Sequence, residues 1–444
     1  MRNVVLLAIV FGSVPLSLMN PYIGVLVWFW IAYFNPHRFA WGFAYYFPVA
    51  MTVAIPTLVG TIFARKTNRI FAVRDTFLLA LLWIWYGVTY IHSTTVPLFA
   101  GHQQWASFEL QRLSKILLMT FVMLLLVTSQ KKLKLLLLLT VACFGLLALK
   151  GVLFGIRTAG ESRVWGPPDS FIGDNNSFAL ALNMSLPILF FLARDEENRR
   201  LRKFLYVAFV CCTACVVLTY SRGGLLGLAV VLAAISLKSR HKFLSAVLLV
   251  LAGLTVLTFA PEPWMNRMEG FMRGSLDQSA QQRVIAWRTA WAISKDYPIT
   301  GAGFHGLPDV ELFQRYQPEP LPGGFLSTGP HSIYFQLLAD HGFVGLALFL
   351  LLITSCFASL CTLRNQARRI PPGRWLENYS NAIEVSLLGY LVSGAFLGLA
   401  YFDLFYQVVA TTILLKVLYR EEALIPALAQ ERSRLIAVPE QAPS

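Results

Sequence analysis

Apolar runs of about 16 to 24 residues recur along the whole chain, each long enough or nearly so to cross a hydrocarbon core of about 30 Å. They fall near residues 4–19, 21–35, 43–64, 76–92, 113–128, 133–155, 176–193, 203–219, 223–237, 243–260, 332–363, 383–401 and 403–419. The runs are continuous rather than alternating, which excludes a β-barrel. Only Met19-Asn20-Pro21 separates the first two, so they read as a hairpin or as one span beside an interfacial helix. The pattern predicts an all-α polytopic integral membrane protein with about twelve transmembrane helices, eleven to thirteen being allowed. Composition agrees: 56% of the 444 residues are hydrophobic and 14% charged. A soluble enzyme would carry about a quarter charged residues. Disordered, collagen-like and disulfide-dense scaffolds are excluded with it. No cleavable signal peptide is expected, because apolar segments follow without a small-residue cleavage site.

The net charge of +14 is therefore a question of sidedness. Basic residues concentrate in five short loops: Arg65 to Arg74, Lys131 to Lys134, Arg194 to Lys203, Lys238 to Lys242 and Arg364 to Arg374. With the adjoining Asp75 and Glu377, those loops hold nineteen Lys and Arg against five acids, which accounts for the entire excess. They alternate with the loops at 93–112, 156–175, 220–222 and 261–330. The positive-inside rule makes the basic set cytoplasmic and the other set periplasmic. This predicts membrane lipids as surroundings and no nucleic-acid partner. Six cysteines fall inside apolar runs, and the Cys211-Cys212…Cys215 cluster reads as buried small hydrophobes rather than a metal or disulfide site.

The expected organisation is about ten spans over 1–260, one large periplasmic loop or lid over 261–330, C-terminal spans over 331–420 and a cytoplasmic tail over 421–444. A structureless loop as long as 261–330 would be unusual, so it is read as functional. Gln281–Lys295 has helical periodicity, and Gln317-Pro318-Glu319-Pro320-Leu321-Pro322-Gly323-Gly324 reads as a mobile strap. Pro330 suits the first turn of the next span. That places His331 at a helix N-terminus, where the dipole disfavours imidazolium and leaves a ring able to accept a proton. His305 is a weaker candidate in a turn. His37, His92 and His102 read as interfacial, and His341 as structural. Arg222, Arg163, Arg157, Arg283 and Arg288 lie on the expected periplasmic side. Each alone is explained by snorkelling. Together, beside a candidate base, they suit a lipid-borne diphosphate, because the guanidinium fork binds phosphate oxygens bidentately.

Three motifs then matter. They are Leu218-Thr219-Tyr220-Ser221-Arg222-Gly223-Gly224, Arg283 and Trp287 followed by Pro298-Ile299-Thr300-Gly301-Ala302-Gly303, and Pro330-His331-Ser332 followed by Asp340-His341-Gly342-Phe343-Val344-Gly345. In order and spacing the chain resembles the O-antigen ligase/polymerase superfamily. Asn35-Pro36-His37-Arg38 with Trp41-Gly42-Phe43 resembles its exosortase-associated O-glycosylation ligase branch. The resemblance implies a metal-independent, inverting, GT-C-like glycosyltransferase of the bacterial inner membrane that needs no cofactor. It would take a glycan en bloc from undecaprenyl diphosphate and pass it to a sugar hydroxyl of lipid A–core oligosaccharide. It further implies that His331 assists the acceptor, while Arg222 and Arg283, with Arg288 and Arg163 less firmly aligned, hold the diphosphate. Ser332 stands where the family often has Asn, and Pro330 replaces the first His of a double-His ligase motif. Independently, loop 36–42 has no acid and loop 93–112 only Glu109. A hard cation would lack oxygen ligands there, leaving arginines to neutralise the leaving group. The alternatives are an O-antigen polymerase, a protein O-oligosaccharyltransferase, and a flippase for a lipid-linked anion. The last would need mid-bilayer charges and an inverted repeat, neither of which is evident.

Overall fold

The computed structural model describes residues 2–64, 68–239, 278–368 and 374–436, with side chains up to Arg420. Within them the chain is helical and contains no strand. The helices are α1 Arg2–Met19, α2 Pro21–Phe34, α3 Phe43–Tyr46, α4 Val49–Ile62, α5 Arg74–Thr95, α6 Gln103–Leu126, α7 Gln130–Arg157 and α8 Asn175–Asp195. They continue with α9 Arg199–Leu218, α10 Arg222–Lys238, α11 Gln278–Asp296, α12 Val310–Tyr316, α13 Ile333–Ala367, α14 Arg374–Gly394 and α15 Asp403–Ile436. The expected span at 243–260, the start of the long loop at 261–277, and Arg65, Lys66, Arg240, Lys242 and Arg369 lie outside the described residues.

Six of these helices (α1, α5, α7, α8, α9 and α13) are long and apolar enough to cross a membrane. The chain is a polytopic helical membrane protein. On α5 the outward residues Phe77, Ile84, Val88 and Ile91 are all apolar, while Leu79, Leu82 and Tyr86 face the interior. A water-facing helix would reverse the outer chemistry. α8 is buried along almost its whole length, and Asn183 ties it to α10 through the Gly224 carbonyl (2.8 Å) and to α14 through Ser393 Oγ (3.2 Å). Gly224 allows that approach: a Cβ there would come within 2.6 Å of Ala179 Cβ.

Two expected spans are broken. The 43–64 run divides at Pro48 into α3 and α4. The 332–363 run is one long helix interrupted at Gly342, where φ is 67° and ψ −171°. The segment Pro298–Gly303 docks into that break. Phe343 N donates to Pro298 O (2.8 Å), Ala302 N to Ala339 O (2.8 Å) and Gly303 N to Asp340 O (2.9 Å). A Cβ on Gly342 would lie 2.5 Å from Ile299 O, so the break needs glycine for backbone angle and for space. Two of the sequence motifs therefore exist to hold each other.

Contacts sort the loops to two ends. At one, Lys134 pairs with Glu196 (2.9 Å), Lys238 and Arg364 share Glu384, and Arg74 Nε donates to Ser355 Oγ (3.0 Å). This basic end joins all five Lys/Arg-rich loops. At the other, loop end, Val164 N donates to Leu218 O (3.0 Å), His102 Nε2 meets Ala302 O (3.1 Å) and Tyr401 OH donates to Asp340 Oδ2 (2.7 Å).

Candidate active site at the loop end

A cavity of about 620 Å³ opens at the loop end. His331, Asp340 and Tyr401 form one side, Glu109 and Arg112 another, and Asp174 with Asn175 and Asn176 a third. His305 and Gln336 complete the polar lining.

His331 does not sit in the first helical turn. Ser332 is the N-cap of α13, and Pro330 stands two residues before that cap, so it does not occupy the helical position its sequence context suggests. Its carbonyl instead accepts from Trp287 Nε1 (2.9 Å), and the Trp287 ring stacks on Phe335 at 5.2 Å. With Pro330 fixed, His331 is held at φ 43°, a left-handed backbone that a non-glycine residue adopts only when its surroundings impose it. Thr328 Oγ1 lies 3.4 Å from its Nε2. Burial pushes the His331 imidazole below its usual pKa, the Arg283 guanidinium pushes it further, and Asp174 opposes them. The ring is neutral near pH 7 and can accept a proton.

Arg283 is thus brought to His331 by α11, one turn before Trp287, and is half-buried. Arg222 opens α10 directly after Ser221, the N-cap whose Oγ accepts from Gly224 N (3.0 Å). The preceding Tyr220, at φ 58°, sends its hydroxyl to the Gly160 carbonyl, and Asn175 Nδ2 donates to Thr219 O (2.8 Å). These bonds fasten the 158–174 loop to the Arg222 turn. The neighbouring Gly223 packs on Phe396, whose ring lies 6.5 Å from Trp287. The remaining two arginines stand apart. Arg288 is exposed and faces Glu319 at 3.5 Å. Arg163 is exposed and lines an adjoining chamber.

The segment expected to be a mobile strap is fastened to α11: Gln278 Nε2 and Gln282 Nε2 each donate to Pro322 O at 3.1 Å. The expected helix at 281–295 is α11, slightly longer at both ends. His102 is buried rather than interfacial, and burial lowers its pKa. His341 is fully buried, with Thr89 Oγ1 at 2.7 Å from Nδ1 and Tyr401 OH at 2.8 Å from Nε2, in keeping with a structural part. His305, at φ 62°, lines the cavity, and its pKa is lowered by burial, opposed by Glu109 and aided by Arg112.

Sequence reasoning missed Arg112, Gln336, Asp340 and Tyr401 as cavity residues, and it placed Glu109 in a loop. Glu109 lies on α6, 3% exposed and paired with Arg112, whose guanidinium sits 4.0 Å over the Phe171 ring. The three acids of the cavity are each engaged. Arg112 holds Glu109, Tyr401 holds Asp340, and Asp174 caps α8, accepting from Asn176 N (2.8 Å) and Ser177 N (3.1 Å). The signal for Glu109 and Arg112 was a charged pair at i, i+3 at the start of an apolar run, where lipid would otherwise have to solvate it. Among the cysteines, Cys143, Cys212, Cys215 and Cys356 are buried and free as expected, whereas Cys361 is exposed.

Residues 207–350, which carry Arg222, Arg283, Arg288 and His331, match the O-antigen ligase family model. The chain carries an O-antigen ligase family domain. Its N-terminal half, residues 1–197, matches a second family model described only as a family of unknown function (DUF5935), and the Asn35-Pro36-His37-Arg38 motif falls there. No curated protein matches the chain. The chain is thus a polytopic helical membrane protein of which residues 207–350 match the O-antigen ligase family.

Proposed function

We propose that the chain is a GT-C-like glycosyltransferase, an O-antigen ligase acting on the periplasmic face of the inner membrane. It transfers a glycan en bloc from undecaprenyl diphosphate to a sugar hydroxyl of lipid A–core oligosaccharide, with inversion and without a metal. The observation that carries this reading is a half-buried His331 that lines a polar cavity, with Arg283 near enough to oppose its protonation, within the O-antigen ligase domain.

In this mechanism the acceptor hydroxyl enters the cavity and lies against His331 Nε2, which takes its proton as the oxygen attacks the anomeric carbon in line. The glycosidic C–O bond to the diphosphate breaks, and undecaprenyl diphosphate leaves. Arg283 and Arg222 neutralise the charge that grows on it. Arg283 has a second effect, because its charge keeps His331 unprotonated until a substrate anion compensates it. Glu109 is held by Arg112, Asp340 by Tyr401 and Asp174 by the first turn of α8, an arrangement that suits neutralisation of the leaving group by arginines. About twelve spans, with the basic end cytoplasmic, fit the sorting of the loops.

The deciding experiment is a transfer assay with full-length protein in liposomes. Defined undecaprenyl-diphosphate glycan is supplied with lipid A–core, a second lipid-linked glycan, or a Ser/Thr peptide, each with and without EDTA. Product on lipid A–core alone, unchanged by EDTA, is expected. Product only on the second glycan or the peptide would replace ligase by polymerase or protein glycosylation.

A further inference from the structure

Three parts of the candidate site come from three places in the chain: Arg283 from α11, His331 from the segment before α13, and Arg222 from the start of α10. One side chain adjoins the surroundings of all three. Trp287 stands one turn after Arg283 on α11, so the two share a face of that helix. Its Nε1 donates to the Pro330 carbonyl (2.9 Å), which belongs to the peptide that enters His331. Its ring stacks on Phe335 in the first turn of α13, with centroids 5.2 Å apart and planes 9° from parallel. The Phe396 ring lies 6.5 Å away, and Phe396 packs on Gly223 beside Arg222.

The stacking needs only an aromatic ring, and phenylalanine would supply one. The hydrogen bond needs the indole N–H. What that bond holds is a peptide plane. The Pro330 carbonyl and His331 N belong to one rigid unit, so fixing the oxygen fixes the plane from which the His331 backbone turns. The ring of Pro330 restricts its own φ. Gly398 abuts the same peptide: a Cβ there would come within 3.4 Å of Pro330 Cγ and 3.7 Å of His331 N. On the other side Ser332 is buried and extended, at φ −163° and ψ 129°. Between Pro330 and Ser332, His331 is left-handed at φ 43°. A histidine keeps that conformation only under constraint, and a return to negative φ would redirect its Cβ and the imidazole with it.

We propose that Trp287 is a positioning residue: its N–H holds the Pro330–His331 peptide so that the imidazole stays in the cavity, in register with Arg283 on the same helix and with the Arg222 turn. This rests on the reading that His331 is the base of the transfer. Trp287 touches no substrate in that reading and acts through His331. Because the ring keeps its stack on Phe335 without the N–H, packing and positioning can be separated by substitution.

The test uses the full chain in nanodiscs and Trp287→Phe, which retains a ring against Phe335 and removes the N–H. Diethyl pyrocarbonate acylates only the neutral imidazole. Its rate at His331 against pH, followed on the peptide by mass spectrometry, therefore reports the titration of that residue without any transfer reaction. The charges that face His331 are Arg283 on α11 and Asp174 before α8. Burial and then Arg283 hold its pKa below the usual value, and Asp174 opposes them. A released ring escapes the two larger effects, so the midpoint should rise toward about 6.5 and the acylation rate should increase. With lipid-linked donor and acceptor, kcat should fall about tenfold with KM little changed, as for a misplaced base. Thermal unfolding should stay near wild type. Trp291→Phe is the control, since Trp291 packs edge-on against Phe343 (5.5 Å) one turn further along α11, and it should alter neither quantity.

An unmoved midpoint and kcat in Trp287→Phe would overturn the proposal. Equal shifts in Trp291→Phe would do the same, by making the effect a loosening of α11, and so would a raised KM at constant kcat, which would place Trp287 in substrate binding. The two readings fail separately. If the midpoint rises in Trp287→Phe while no acceptor ever yields product, the positioning stands and the transferase reading falls. If His331→Ala loses transfer and Trp287→Phe changes nothing, only the positioning falls.

Discussion

The two ends of the helix bundle handle charge in opposite ways. At the basic end, Asp75 is fully buried and accepts from Ser359 Oγ (2.8 Å) and Lys416 Nζ (3.0 Å), with Ser355 as a further donor. Glu384 is shared by Lys238 (3.0 Å) and Arg364, and Glu196 by Lys134 (2.9 Å). Among the described residues, charge there meets protein charge. At the loop end, protein partners satisfy the acids, while His331, His305 and Gln336 line an open cavity and Lys150 and Arg163 meet no carboxylate within 4 Å among the described residues. One end is built for cohesion and topology. In the proposed function the other receives an anion and a hydroxyl.

Substitutions at the two ends should therefore separate activity from stability. The largest effect is expected for His331→Ala, which should lower glycan transfer by about 10²–10⁴ while leaving thermal unfolding in detergent near wild type, as for loss of a general base. Near-normal transfer by the purified variant would remove His331 from the mechanism. Asp75→Ala should do the reverse. It strands Lys416 and should cost about 3–5 kcal/mol of stability, measured by denaturant or thermal unfolding, with folded molecules retaining transfer.

Arg283→Ala comes next, with transfer reduced by about 10²–10³. It also moves the pH profile. His331 titrates below the ordinary histidine value, so the acid limb of the rate should lie below about pH 6.5. Removing Arg283 removes a repelling cation, raises the His331 pKa and moves that limb upward. An unmoved limb would mean that Arg283 is remote from His331 in the working enzyme. The smallest effect is expected at Arg288→Ala. Its ion pair with Glu319 is exposed on both sides and contributes about 0–1 kcal/mol, so rate and stability should barely change. A large loss of transfer there would show that the loop end rearranges to bring Arg288 inward.

Much of the fold could be read from the chain because hydropathy is a local property. The helices start and stop within a few residues of the apolar runs for α1, α2, α7, α8, α9 and α10. The breaks at Pro48 and Gly342 were harder. A proline can lie within a helix, as Pro187 does in α8, and a glycine in an apolar run has no visible φ. For the candidate site, position relative to the long loop and family resemblance singled out His331, Arg222 and Arg283. Arg288 and Arg163, less firmly aligned, stayed beside them as candidates because sequence spacing does not say which face of α11 meets α13, or which loop end a side chain follows. Arg112, Asp340 and Tyr401 were invisible for the same reason: two distant helices and a turn bring them to one cavity.

What the sequence determined by itself was the helical membrane class, the sorting of charge between loops and the glycine- and proline-marked motifs, all of which depend on near neighbours and on transfer to lipid. Only the tertiary structure decided that Pro298–Gly303 fills the break at Gly342 and that Trp287 fixes the carbonyl before His331. Those relations rest on contacts between segments tens of residues or more apart, and a one-dimensional pattern of polarity carries no information about which surfaces of packed helices face each other.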